Sequence, residues 1–228
     1  MGVVSDGERP ATPGRRTSPA MVALAVLAWF GILVGCGIAA GHLLAGAEGP
    51  HGGTPFDRSI TMWLVHRRTG ALTPLARTLS TLGSQKVLTP LVVLVVLVLV
   101  DRRRVAPAAA LVAAWGGAIV LYALVKQAIG RPRPPERLWL QHPGGTSFPS
   151  GHAVQSLSTL LAFMLVWLWV VRPVRGAAAA ATTAIVLSAA VAWSRVYLGV
   201  HWTTDVIAGL LLAAAWIGLF VAMLRRRV

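Results

Sequence analysis

The feature that most restricts this chain is a succession of apolar runs, each about as long as a bilayer is thick, separated by short basic clusters. The clearest runs from about Leu82 to Val100 and is stopped by DRRR at 101–104. A helix needs roughly 20 mostly apolar residues to cross the hydrocarbon core. Comparable runs lie at about Met21–Ala45, Ala106–Lys126, His152–Val171, Ala177–Ser194 and Trp202–Leu224. The expected fold is therefore all-α, an integral membrane bundle of six transmembrane helices. Hydrophobic residues are 56% of the 228 and charged residues only 12%, which excludes an ordinary soluble domain.

The charge is lopsided as well, at +14 from 21 Lys plus Arg against 7 Asp plus Glu. On a soluble protein this would suggest a nucleic-acid partner. Here the basic residues sit between apolar runs, as membrane topology requires, so the bilayer is the expected partner and nucleic acid is not. Arg9, Arg15 and Arg16, then DRRR, RPVRG at 172–176 and the closing RRR fall on one side of a six-span chain. The positive-inside rule makes that side cytoplasmic. Both termini are then cytoplasmic, and loop 127–151 and the link around 195–201 face outward.

Residues 1–20 are polar and aperiodic and read as a disordered basic cytoplasmic tail. A membrane domain over 21–228 follows, with its chemistry within 126–205. Arg15-Arg16 and AGA at 45–47 have the look of a secretion signal and its cleavage site. The intervening run is longer than the roughly 7–15 residue core of such signals, so an anchor helix is expected. Gly31-x3-Gly35 and Gly37-x3-Gly41 are spacings that let helices approach closely, within one chain or between copies, and leave the oligomeric state open. Cys36, the single cysteine, excludes an internal disulfide and a cysteine-based metal site.

Residues 46 to about 80 are mixed. Phe56, Ile60, Trp63 and Leu64 share one helix face and charge occupies the other, which predicts a helix along the membrane surface. Lys86 lies close enough to the end of its run to snorkel. Trp193 and Trp202 read as boundary aromatics. His42, His51, His66 and His142 have no partner at a telling spacing, and Arg131 and Arg137 could meet a headgroup or simply face water.

In this topology the costly residues gather at one depth. Lys126 closes one span, Arg133 lies in the adjoining loop, and Pro149-Ser150-Gly151-His152 opens the next. Arg195 ends the fifth span and His201 begins the sixth. Ionisable groups beside spans mark functional sites by default. Lys126, Arg133 and Arg195 are fixed cations, and a guanidinium suits the two-pronged grip of phosphate oxygens. Ser150 is a natural N-cap and Gly151 lets a ligand reach backbone N–H groups, although Pro-Ser-Gly also fits a plain helix start.

His201 and Asp205 are four apart and share a face. A carboxylate there can hold the imidazole with Nε2 outward as a nucleophile, though metal ligation or capping has the same spacing. His152 supplies a general acid. Two histidines and three cations, with no carboxylate pair and no cysteine, point to metal-free phosphoryl transfer through a phosphohistidine, with no cofactor.

The pattern Lys126-x6-Arg133-Pro134, Pro149-Ser150-Gly151-His152 and Ser194-Arg195-x5-His201-x3-Asp205 resembles the signature of the type 2 phosphatidic acid phosphatase superfamily at every fixed position. The resemblance implies a six-span membrane phosphatase. It further implies that His201 attacks phosphorus, that Asp205 orients it, and that His152 protonates the leaving oxygen and then activates water. Lys126, Arg133, Arg195, Ser150 and the Gly151 N–H would bind the phosphoryl oxygens. The expected activity is hydrolysis of a lipid phosphate at the outer leaflet of the cell membrane, on an isoprenyl diphosphate, phosphatidylglycerol phosphate or phosphatidate. A lipid phosphotransferase and a non-catalytic anion transporter are the alternatives.

Overall fold

A computed structural model describes residues 18–49, 52–172 and 175–225. Most of the expected tail, His51 and the last three residues lie outside the described residues. The described chain contains helices and no strand: α1 (Pro19–Gly46), α2 (Pro55–His66), α3 (Leu72–Leu82), α4 (Gln85–Asp101), α5 (Val105–Ile129), α6 (Gly151–Val171), α7 (Ala177–Tyr197) and α8 (Thr203–Arg225). A short 3-10 turn, Glu136–Leu138, interrupts the loop after α5.

Among the described residues, α1, α5, α6, α7 and α8 are each long and apolar enough to cross a membrane. Helices α3 and α4 meet at a break with a bend of 40° and supply a sixth span if counted as one. The runs read from hydropathy thus land on helices, with ends shifted by a few residues. Leu27, Leu43, Leu94, Leu97, Ile185 and Leu211 point away from the protein, as side chains facing lipid do.

Helix α6 lies at the centre and packs against α5, α7, α8 and α4. One buried cluster, including Leu111, Leu121, Val154 and Trp216, fills the space between α5, α6, α8 and α1. A second, including Leu64, Ala76, Ala153, Val196 and Tyr197, joins α2 and α3 to α6 and α7. Close packing rather than water expulsion holds such helices together in lipid, so small residues matter at the contacts. At Gly37 and Gly41 an added Cβ would lie 2.8 Å from Val125 and 2.6 Å from Ile129, so this Gly-x3-Gly face packs α1 onto α5. Gly31 and Gly35 meet nothing within 4 Å. Only the second of the two spacings is therefore used inside the chain.

At α2 the residues read as one apolar face are divided. Its buried residues are Asp57, Thr61 and Leu64, whereas Phe56 and Trp63 are half-exposed. The mostly polar inward face holds Asp57 and Thr61 beside Leu64, and Phe56 and Trp63 point outward. The inward face is polar because it meets charged groups of the loop after α5. Trp202 is also no boundary aromatic. It is 2% exposed, its indole N–H donates to the Pro132 carbonyl at 3.0 Å, and Gly53 packs on its ring.

Helix α3, which the mixed composition of 46–80 concealed, packs on α7 with Ala76 and Ser80 inward. The turn between α7 and α8 is fixed by Gly199. Its φ is +74°, and a Cβ there would fall 2.2 Å from the Leu138 carbonyl oxygen, so no side chain fits. Arg68, at the end of α2, donates to the carbonyls of Tyr197 and Leu138 and ties the same turn to the loop after α5.

Candidate active site

The ends of α5, α6 and α7, the α3–α4 break, the loop 130–150 and the link that carries His201 border a cavity of about 660 Å³. Lys126, Arg133, Gly151, His152, Arg195 and His201 all border it, although 75 residues separate the first from the last. The charged and nucleophilic residues expected from the sequence are therefore neighbours in space. Among the described residues no group of three or more His, Cys, Asp or Glu side chains could hold a metal ion.

Asp205 sits in the first turn of α8 and is wholly buried. Its carboxylate accepts the Trp202 backbone N–H at 2.9 Å, the Ser147 hydroxyl at 2.5 Å and an Arg131 N–H at 2.5 Å. A carboxylate so placed caps its own helix start and is held in one orientation. His201 Nδ1 lies 3.5 Å from that carboxylate and 3.5 Å from Ser147 Oγ. On its other side, His201 Nε2 is 3.2 Å from an Arg133 N–H nitrogen. A guanidinium can only donate, so Nε2 presents its lone pair and the ring proton resides on Nδ1, towards Asp205. This tautomer is the one a nitrogen nucleophile needs.

Burial, followed by the charges of Arg133, Arg195 and Lys126 and by His152, holds the pKa of His201 well below the usual histidine range. The ring is thus neutral at physiological pH. Arg133 is itself pushed down to about 10 by burial, against which Asp205 acts, and it stays charged. It also donates to the carbonyls of Gly145 at 2.9 Å, Val200 at 2.5 Å and Gly144 at 2.8 Å, which aims the guanidinium across the cavity. Lys126 Nζ donates to the Thr146 carbonyl at 2.5 Å. Arg195 donates to Ser80 Oγ and, at 2.9 Å, to Gln141 Oε1, while its Nε is buried without a partner.

Ser150 stands at the N-cap position of α6, yet its hydroxyl makes no capping bond and has no partner in the protein. Its backbone is fixed instead: the N–H donates to the Asp205 carbonyl, and Gly209 brings α8 to within 2.9 Å of the Ser150 carbonyl oxygen, measured from the Cβ that glycine lacks. A plain helix start would have used the hydroxyl. The hydroxyl is thus left unpaired at the positive end of α6, the kind of helix terminus that favours an anion.

The sequence reading missed the group beneath Asp205. Arg131 is 1% exposed and reaches Glu48 at 2.5 Å, Asp57 at 2.9 Å and Asp205 at 2.5 Å. Burial works against its charge, but Asp205, Glu48 and Asp57 outweigh that and raise its pKa. Asp57 in turn caps α2 through Thr54 and accepts from the Thr204 N–H at 2.8 Å and hydroxyl at 2.9 Å. Arg131 therefore faces neither water nor a headgroup; it links α2 to the start of α8. The clue in the sequence was Asp57 on the inner face of a helix with Thr54 three residues earlier. Arg137 is exposed, and His142 borders the cavity although nothing in its spacing marks it.

Among curated relatives, an undecaprenyl-diphosphatase of Sulfolobus acidocaldarius is 37% identical over 108 residues, 44% of this chain and 46% of that protein. The chain spans less than half the length of the curated relatives it matches. In fold it is similar to the crystal structure of a transmembrane PAP2 type phosphatidylglycerolphosphate phosphatase from Bacillus subtilis, with a TM-score of 0.64 at 24% identity, covering 86% of this chain and 93% of that one. It is also similar to Aquifex aeolicus LpxE, with a TM-score of 0.56 at 22% identity, covering 71% of this chain and 93% of that one. The PAP2 superfamily profile fits residues 107–228, more than half the sequence and the part that builds most of the cavity, and the chain belongs to that superfamily.

Proposed function

We propose that this multi-pass membrane protein is a lipid-phosphate phosphatase that works through a phosphohistidine on His201. The observation that carries this reading is His201 at the border of a cavity ringed by Lys126, Arg133 and Arg195, with Nε2 as the acceptor nitrogen, towards Arg133. In the first step Nε2 attacks the terminal phosphorus, the bond from that phosphorus to the leaving oxygen breaks (the ester oxygen of a monophosphate, the bridging oxygen of a diphosphate), and His152 gives that oxygen a proton. In the second, His152 takes a proton from water, whose oxygen attacks phosphorus. The N–P bond breaks, and inorganic phosphate and neutral His201 are restored. Asp205 stabilises the imidazolium character that develops on His201, and the cations with Ser150 and the Gly151 N–H neutralise the phosphoryl oxygens.

Substrates of the isoprenyl diphosphate, phosphatidylglycerol phosphate or phosphatidate type fit this chemistry, and the names of the relatives lie in the same classes. The outer leaflet is the proposed side. Arg103, Arg104 and Arg172 border a common recess at the opposite ends of α5 and α6 from Lys126 and Gly151, and basic residues at span ends favour the cytoplasm. Both termini are then cytoplasmic, with residues 1–20 a tail ahead of the domain over 21–228.

The purified protein in detergent is expected to release phosphate from lipid phosphates in excess EDTA and to be inhibited by vanadate, which mimics the five-coordinate transition state. Phosphate release that stops in EDTA and returns with a divalent ion would overturn the reading. The charge around His201 gives a second expectation. Because nearby cations lower its pKa, Arg133→Gln removes one of them and the pKa rises. The acid limb of the kcat/KM profile should then move to higher pH than in the wild type on the same substrate, with a lower plateau. An unmoved limb would show that His201 does not set it.

A further inference from the structure

The cavity is larger than one phosphoryl group requires, and its far wall has no role in the steps above. That wall is the α3–α4 break and the start of α4: Gly83, Ser84, Gln85 and Lys86, with Tyr122 and Gln155 beside it. Helix α4 begins with no acidic residue in its first turn, and Ser84 spends its hydroxyl on the Thr81 carbonyl at 2.6 Å rather than on a cap. A cation in the first turn is unfavourable beside the positive end of a helix. Lys86 is nonetheless there, exposed at the cavity edge. An anion between them would turn this mild repulsion into attraction.

Gln155 makes the second, independent observation. It lies one turn into α6 from His152, is 1% exposed, and both its amide nitrogen and its amide oxygen are buried without a partner. Unpaired buried amides are rare and call for an explanation. Gln155 borders the same cavity as His152 and His201 and the α4 wall. The two walls are also joined: the Gln85 amide donates to the Tyr122 hydroxyl at 3.0 Å, and the Tyr122 ring packs on Gly151. The residues bordering the cavity include Lys86, Lys126, Arg133 and Arg195 and no carboxylate. Three of these cations face the reacting phosphoryl group, and Lys86 remains for a further negative charge.

We propose that the α4 N-terminus, Lys86 and Gln155 form a second anion subsite that holds the phosphate retained by the leaving group, so that alkyl diphosphates are preferred over monophosphates. The flexible stem of Lys86 carries its ammonium to the non-transferred phosphate, and the Gln155 amide donates to the oxygen bridging the two phosphorus atoms. This inference rests on the phosphatase reading and selects a substrate class within it.

The test compares kcat/KM for farnesyl diphosphate and for a short-chain phosphatidate, in detergent, for the wild type, Lys86→Met, Lys86→Glu and Gln155→Met. The diphosphate-to-monophosphate ratio is expected to fall about ten- to a hundredfold in Lys86→Met and Gln155→Met, the size of one or two lost bonds to a charged group. Lys86→Glu is the sharper variant. A carboxylate at that position favours the helix and repels the ligand, so the unfolding temperature should hold or rise while the ratio falls furthest. A ratio unchanged across the variants, or both substrates falling in parallel, overturns the subsite and leaves Lys86 a snorkeling anchor. If the wild type releases phosphate from neither substrate, the phosphatase reading itself fails instead.

Discussion

His201→Ala is expected to lower phosphate release by about 10⁴-fold or more, the scale on which removal of a covalent nucleophile acts. The fold should survive, because the ring makes only long contacts, 3.5 Å to Asp205 and Ser147 and 3.2 Å to Arg133. Circular dichroism and the detergent elution profile should match those of the wild type. The phosphoryl-binding cations remain in place, so the variant should still bind vanadate or phosphate, and binding measured alongside turnover separates loss of chemistry from loss of the site. A variant retaining a tenth of the wild-type rate would remove His201 from the mechanism.

The second large effect is expected at Arg131, remote from the reacting atoms. Arg131→Ala leaves Asp57 and Asp205 buried without their shared cation, and removing one partner of a buried ion pair costs about 3–5 kcal/mol. The expected result is a sharply lower unfolding midpoint and little purified protein. Arg131→Lys keeps the charge but loses the three-pronged geometry, in which separate guanidinium nitrogens reach Glu48, Asp57 and Asp205. That variant should fold, with kcat reduced about 10- to 100-fold and KM little changed, as for other partners that orient catalytic groups. Asp57→Asn should follow it with a smaller loss. Normal kcat in a folded Arg131→Lys protein would show that Asp205 is held well enough by Ser147 and the Trp202 N–H alone.

The separation between what the sequence disclosed and what it concealed follows from range. Apolar runs are read locally, and α1 and α4–α8 lie where hydropathy and basic stops predicted them. The candidate site residues were legible because each is a costly residue at or beside a span end, and alternating spans bring one set of ends together whatever the packing details. Helix α3 was concealed because its inward face is only Ala76 and Ser80, while Leu72, Leu75 and Leu82, which carry its apolar periodicity, face outward. At α2 the residues read as one apolar face divide, because Leu64 is buried with Asp57 and Thr61. In lipid the outside is apolar, and Phe56 and Trp63 face out while Asp57 faces in. Trp202 was misread for a different reason. An aromatic at a span end suits an interface, but Gly53 and the Pro132 carbonyl, distant in sequence, make it a core residue.

Arg131 shows the limit most clearly. Its neighbours Gly130, Pro132 and Arg133 suggest an open loop, and only the tertiary fold brings Glu48, Asp57 and Asp205 to it across 74 or more residues of sequence separation. The part of the chain before the superfamily profile is thus more than an anchor. Through Glu48 and Asp57 it fixes the cation that holds the carboxylate behind His201.

A covalent phosphohistidine on His201 can be trapped. His152→Asn removes the proposed water activator, whereas p-nitrophenyl phosphate needs no protonated leaving group. Mixing the two should give one rapid equivalent of p-nitrophenolate per enzyme and then near arrest. Mass spectrometry after alkaline quench should find the added phosphoryl group on the peptide containing His201, lost on acid treatment and absent when His201 is also alanine. Product release without any burst and without protein-bound phosphorus, or phosphorus on a different residue, would contradict the account.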